Sequence, residues 1–158
     1  MAESAPERVW FRLMRLHTRA HSAINDRLRE IGLSVPQCDV ITTLSEREGI
    51  AQQELAQRLY VTKGNISGLI DRLAKAGLVE RRQSQEDKRS HALFLTEEGR
   101  RLAAKGIEIQ RMFVANAFAG IDNRLLQELE AGLIAVRDGI RKNSDAGPDS
   151  SISKDGEG

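Results

Sequence analysis

A mainly α-helical chain carrying one small β-hairpin is what this sequence predicts. Two observations carry that expectation. Apolar residues recur every three or four positions over most of the chain, the period that gives a helix one buried stripe. The one pair of short strand-like segments, Leu78 to Arg82 and His91 to Leu95, flanks the polar stretch Gln83 to Ser90, the pattern of a hairpin.

Taken in order, the first helix is expected from about Pro6 to Ile31, where Val9, Leu13, Leu16, Ala20, Ile24, Leu28 and Ile31 form one stripe that ends before Gly32. Ser34-Val35-Pro36-Gln37 reads as a capping box with proline early in the second helix, where its missing N–H costs nothing. That helix turns Val40, Ile41 and Leu44 inward and fades at Glu48-Gly49. A short helix from Ala51 buries Leu55, Ala56 and Leu59, and Thr62 caps the next one, Lys63 to Ala76. Its Ile66, Leu69, Ile70 and Leu73 share one face, which leaves Lys63, Gly64, Ser67, Gly68, Asp71 and Lys75 away from the core. Gly77 supplies a left-handed stop. After the hairpin, Thr96 caps a helix reaching about Ala119, with Glu97 and Glu98 in its first turn. Gly120 breaks it and Asp122 caps the last helix. There Leu126, Leu129, Leu133, Val136 and Ile140 form a narrow seam that needs a partner helix. Residues 143–158, rich in Ser, Gly and Asp, hold too little apolar surface to offset their ordering entropy and are expected to be a disordered tail.

The composition narrows the function. Of 158 residues 40% are hydrophobic and 30% charged, with a single cysteine, Cys38, so an intrachain disulfide framework and a multi-cysteine zinc module are excluded. No apolar run reaches the roughly 18 residues of a membrane span, and Met1 to Arg8 lacks a signal pattern, so the cytoplasm is the expected compartment and no membrane partner is expected. The net charge of +1 is unevenly spread. Residues 143–158 carry four acids against Lys154, a balance of −3 that leaves +4 on residues 1–142. Between Gln52 and His91 eight lysines and arginines face five acids, a local +3 that permits phosphate binding. No Gly-rich phosphate loop, nucleophile elbow or framed acid–base pair is present, so neither an enzyme nor a cofactor is expected.

Helix, helix, turn, helix, strand, basic loop, strand is the order of a winged helix-turn-helix, whose second helix enters a DNA major groove. Residues 33–99 make up that domain, residues 6–31 and 96–142 supply long dimerisation helices, and the expected fold class is a winged helix-turn-helix flanked by them. Gly64 and Gly68 each cost about 1 kcal/mol relative to Ala in a helix, a sacrifice that close approach to DNA explains. Asn65 and Ser67 are the expected base-proximal residues, and Gln52, Gln53 and Lys63 the phosphate contacts. Thr62, Gly64, Gly68, Arg72, Arg82, Asp87, Lys88 and Arg89 complete the candidate DNA-binding set. Asp87, two residues before Arg89, is placed to hold that guanidinium in one rotamer for a minor groove. Tolerated surface residues and a hairpin tie account for the same side chains without DNA, and a winged-helix protein-interaction module is the corresponding alternative.

The sequence resembles the MarR family of bacterial transcription regulators. The resemblance is carried by Leu33-Ser34-Val35-Pro36-Gln37, Gln53-Glu54-Leu55-Ala56, Asp71-Arg72-Leu73, Ala76-Gly77-Leu78-Val79-Glu80-Arg81, Glu86-Asp87-Lys88-Arg89-Ser90 and Leu95-Thr96-Glu97-Glu98-Gly99. It implies a homodimer on a pseudo-palindromic double-stranded operator, with repression relieved by a small effector. It also implies an effector site. Trp10, Asp39 and Arg81 resemble three of the four urate-binding residues of the urate-responsive branch, and Leu69 stands where the fourth, an arginine, is expected. Two sensing alternatives remain within the same fold. His17 and His21 have the i, i+4 spacing of metal ligands, without an obvious third ligand. Cys38 as a peroxide sensor is opposed by the adjoining Asp39, since a reactive thiol needs an electropositive setting.

Overall fold

The computed structural model describes residues 4–83 and 91–145. Six helices and three short strands follow one another as α1 (Ala5–Arg29), α2 (Val35–Glu46), β1 (Ile50–Ala51), α3 (Gln52–Arg58), α4 (Lys63–Lys75), β2 (Val79–Gln83), β3 (His91–Leu95), α5 (Glu97–Ala117) and α6 (Asn123–Asp145). The chain divides into two compact units, one running through Ala117 and the other from Phe118.

Local chemistry sets the boundaries. α1 opens one residue earlier than expected because Ser4 and Glu7 cap it reciprocally, the Ser4 N–H donating to Glu7 Oε2 at 2.7 Å. It also stops before Ile31. The Leu28 carbonyl accepts the N–H groups of both Ile31 and Leu33, at 3.1 and 3.0 Å, and so folds the chain back over the last turn. At α2 the expected cap is present, with the Ser34 N–H donating to Gln37 Oε1 at 2.9 Å. Thr62 caps α4 by accepting the Asn65 N–H at 3.3 Å. Asp122 caps α6 through the Leu125 N–H at 2.9 Å.

The sheet has three antiparallel strands in the order β1-β3-β2. Leu93 at its centre pairs with Ile50 on one side and Arg81 on the other. β1 was not expected from sequence, because two residues are too few to show a period and the pairing is with a segment 43 positions away, Ile50 against Leu93. Thr96 links sheet and helix. Its hydroxyl donates to the Gly77 carbonyl at 2.6 Å and accepts the Gly99 N–H at 3.0 Å. A Cβ on Gly99 would stand 2.0 Å from the Leu78 carbonyl oxygen, so only glycine lets α5 begin so close to the end of α4.

One core joins the elements of the unit that runs through Ala117. Leu28, Leu33, Ile41, Leu44, Leu55, Ile66, Ile70, Leu73, Leu93 and Leu95 are fully buried, and no polar or charged residue is buried among the described residues. The expected inward faces of α2, α3 and α4 all contribute. α1 does so only at its end: Leu28 is its one buried residue, whereas Val9 and Leu16 of the expected stripe are exposed. Leu125, Leu129, Leu133 and Val136 of α6 are exposed as well. α6 continues to Asp145, so residues 143–145 are helical rather than part of a disordered tail. The rest of that expected tail lies outside the described residues. None of the described helices is long and apolar enough to cross a membrane.

Candidate nucleic-acid interface

α4 presents to solvent what its buried stripe leaves over. Ile66, Leu69, Ile70 and Leu73 hold it on the core, so Thr62, Lys63, Gly64, Asn65, Asp71, Arg72 and Lys75 are exposed, while Ser67 and Gly68 are half-buried. Gly64 has no heavy atom within 4 Å of where a Cβ would stand. That leaves a smooth surface on the first turn. Next to it is an open hollow of about 350 Å³ lined by Pro36, Val61, Gly64, Asn65, Gly68, Leu69 and Arg72. The Arg72 guanidinium lies over Gly68, whose Cβ position is 3.5 Å from Arg72 Nη1.

Charge pairing sorts the cations of this region. Glu54 accepts Arg58 at 2.9 Å, and it also lies 3.7 Å from Arg47 of the preceding segment. Asp71 accepts Arg81 at 2.6 Å, and Glu80 pairs with Arg82. Each of the three acids described between Gln52 and Gln83 is therefore matched by an arginine. Lys63, Arg72 and Lys75 have no ion pair among the described residues, and all three sit on the exposed surface of α4. The local excess of +3 in the sequence is thus concentrated on one helix.

Arg81 and Arg82 take roles that sequence alone did not assign. Arg81 reaches from β2 to Asp71 of α4 and to Gln52 Oε1 at 3.4 Å, tying the root of the hairpin to both helices of the pair. Arg82, expected at DNA, stacks its guanidinium 4.5 Å from the centre of the Phe94 ring on β3 while it pairs with Glu80. Gln53 is exposed and Gln52 half-buried at the start of α3. Asp87, Lys88 and Arg89 lie outside the described residues.

The other candidates are more scattered. Trp10 is exposed on α1. Asp39 is half-buried on α2; burial raises its carboxyl pKa above the ordinary value, and the nearby charge of His21 pulls it down. Arg81 bonds to Asp71 and Gln52 rather than to Asp39. His17 and His21 have ring centroids 6.0 Å apart, and no group of three metal-ligating side chains occurs among the described residues. Cys38 is fully buried, and burial, followed by the Asp39 charge, pushes its thiol pKa up to about 11.

Comparison with known proteins meets the same region. The family model described as the MarR family matches residues 33–91, from the start of α2 into the hairpin. Over those residues the chain is similar to the MarR family. It is 28% identical to an HTH-type transcriptional regulator of Bacillus cereus, with 87% of this chain and 89% of that protein covered. A MarR-family transcriptional regulator from Rhodococcus sp. RHA1 is similar in structure, with a TM-score of 0.73 and 26% identity over 85% of this chain and 96% of that one. CouR from Rhodococcus jostii RHA1, solved bound to p-coumaroyl-CoA, gives a TM-score of 0.72 and 26% identity over 85% and 95% of the two chains. The chain has the winged-helix, DNA-binding fold that these transcription regulators share.

Proposed function

We propose that this chain acts in the cytoplasm as a homodimeric, sequence-specific repressor of the MarR family that reads a pseudo-palindromic duplex with α4 and is released by a small aromatic or phenolic effector. The three unneutralised cations on α4 carry the DNA half of that reading, because a positive helix surface beside a glycine-smoothed first turn fits a polyanion at close range. Asn65 and Ser67 contact base edges. Lys63, Arg72, Gln53 and Lys88 contact phosphates, and Arg89 enters the minor groove. Arg81 and Arg82 act earlier in the chain of cause, by holding the hairpin root against α4 and β3.

The homodimer rests on apolar side chains that one copy leaves exposed: Val9, Trp10 and Phe11 of α1, Met112 and Val114 of α5, and Leu129 and Leu133 of α6. Exposed apolar faces of this kind, on either unit, mark interaction surfaces. Residues 6–31 and 96–142 are accordingly assigned to dimerisation and residues 33–99 to DNA binding. The effector class rests on the likeness to CouR, whose ligand has a phenolic acyl group, with Trp10 and Asp39 as first candidates for contact. An effector weakens DNA binding by as much as it prefers the dimer whose two α4 helices are wrongly spaced. Metal and redox sensing have less support, since Cys38 is buried with a raised pKa.

A mobility-shift assay on the DNA upstream of the protein's own gene, repeated with a panel of hydroxycinnamic and other aromatic acids and their thioesters, tests the proposal. A specific complex that survives competitor DNA and is dissolved by one of these ligands is expected. Absence of any complex at low salt overturns it.

A further inference from the structure

Tyr60 stands apart from every other residue of the reading head. It is the only tyrosine of the chain, 95% exposed, and the one non-glycine residue with positive φ, +54°, among the described residues. The four other positive-φ positions, Gly32, Gly49, Gly77 and Gly120, are all glycines. A bulky side chain is disfavoured in this left-handed conformation, and burial that would compensate for it is absent. The fold gives no reason for the ring.

The turn that carries the ring is nonetheless firmly made. The Tyr60 N–H donates to the Gln57 carbonyl at 3.2 Å and the Val61 N–H to the Ala56 carbonyl at 3.0 Å, while Val61 packs on the core. Tyr60 is thus projected from a fixed backbone two residues before Thr62, the cap of α4. The N-terminal end of the second helix is the part of a helix-turn-helix that approaches base edges, and here that end exposes Lys63, Gly64 and Asn65. An unfavourable, exposed aromatic residue at such a place has the character of strain kept for function.

We infer that Tyr60 is a DNA-backbone contact, its phenol hydroxyl donating to a phosphate oxygen beside the groove that α4 enters. The inference rests on the DNA-binding reading given above. A hydroxyl on a phosphate fixes the register of the protein on the duplex and carries no sequence information of its own.

Wild type, Tyr60→Phe and Tyr60→Gly, compared by fluorescence anisotropy on the upstream duplex and on a random duplex, test it alongside thermal melting of each protein. Tyr60→Phe is expected to bind both duplexes about tenfold more weakly, the loss of a hydrogen bond to a charged group. Tyr60→Gly is expected to bind at least as weakly while its melting temperature holds or rises by about 2–4 °C, since glycine relieves the left-handed turn. A Tyr60→Phe affinity within twofold of wild type overturns the inference, whatever Tyr60→Gly does. So does a Tyr60→Gly protein that loses affinity and melting temperature together, because the residue then serves folding. If wild type itself binds neither duplex at low salt, the DNA-binding reading fails and takes this inference with it, a result distinct from variants that match a binding wild type.

Discussion

The contact between α2 and α5 gives a double substitution whose outcome can be worked out in advance. Cys38 is fully buried on α2, and a Cβ added at Gly106 of α5 would stand 2.6 Å from its Sγ and 3.9 Å from Thr42 Cγ2. Gly106→Ala therefore overpacks the core, at about 1–3 kcal/mol, against a gain of about 1 kcal/mol in helix propensity. The net loss is as much as about 2 kcal/mol, or about 4–8 °C in melting temperature for a chain of this size. Cys38→Ala alone removes one buried sulfur and leaves a small cavity, a loss of about 1–2 kcal/mol. In the double variant the new methyl group enters the space the sulfur vacated. The helix gain then offsets much of the Cys38 loss, and stability returns to within about 1 kcal/mol of wild type, a coupling of about 1–3 kcal/mol. Urea unfolding followed by circular dichroism, at one fixed protein concentration so that association does not enter, measures the cycle. Additivity of the two single changes within about 0.5 kcal/mol would refute the packing argument. The same Cys38→Ala protein is expected to bind DNA as wild type does, before and after mild peroxide treatment, as a packing cysteine requires.

Three further outcomes are expected. Native Cys38 should resist alkylation at neutral pH and ionise only near its raised pKa of about 11. Because the folded value lies above the ordinary thiol value of 9.0, its contribution to stability is complete below about pH 9 and is lost as pH rises towards 11, which alkaline unfolding curves of wild type and Cys38→Ala measure. Leu129→Arg with Leu133→Arg, both on exposed α6, should shift the protein from dimer to monomer in sedimentation velocity while leaving its helical circular dichroism largely intact; an unchanged dimer would exclude that face. Thr96→Val should lower stability by about 1–2 kcal/mol in urea unfolding, since the hydroxyl both caps α5 and satisfies the Gly77 carbonyl.

Much of this fold is written locally. Thr62, Gly77 and Asp122 announce their helix ends within a few residues, and the i, i+3, i+4, i+7 spacing of Ile66, Leu69, Ile70 and Leu73 states which face of α4 is buried. What escaped the sequence is non-local. β1 exists because Ile50 and Ala51 find Leu93 and Ala92, and no pattern within residues 50–51 records that. Asp71 reads as surface charge and Arg81 as an effector candidate, and nothing local in the sequence records that the fold pairs them or that Arg82 lies over Phe94. The site was legible in outline: the exposed residues of α4 could be named, but which of its cations are free could not. The boundary expected at residue 143 rests on polar composition alone, whereas α6 propagates to Asp145.

The salt dependence of DNA affinity tests the central claim most directly. Lys63, Arg72 and Lys75 of two protomers offer about six cations to phosphates, so log K against log salt concentration should fall with a slope of about −5 or steeper on the upstream duplex. Reversal of charge at Arg72 should flatten that slope by about two units. A slope near zero, or wild-type binding that does not change when Arg72 becomes Glu, would contradict an account in which the unpaired cations of α4 meet the DNA backbone.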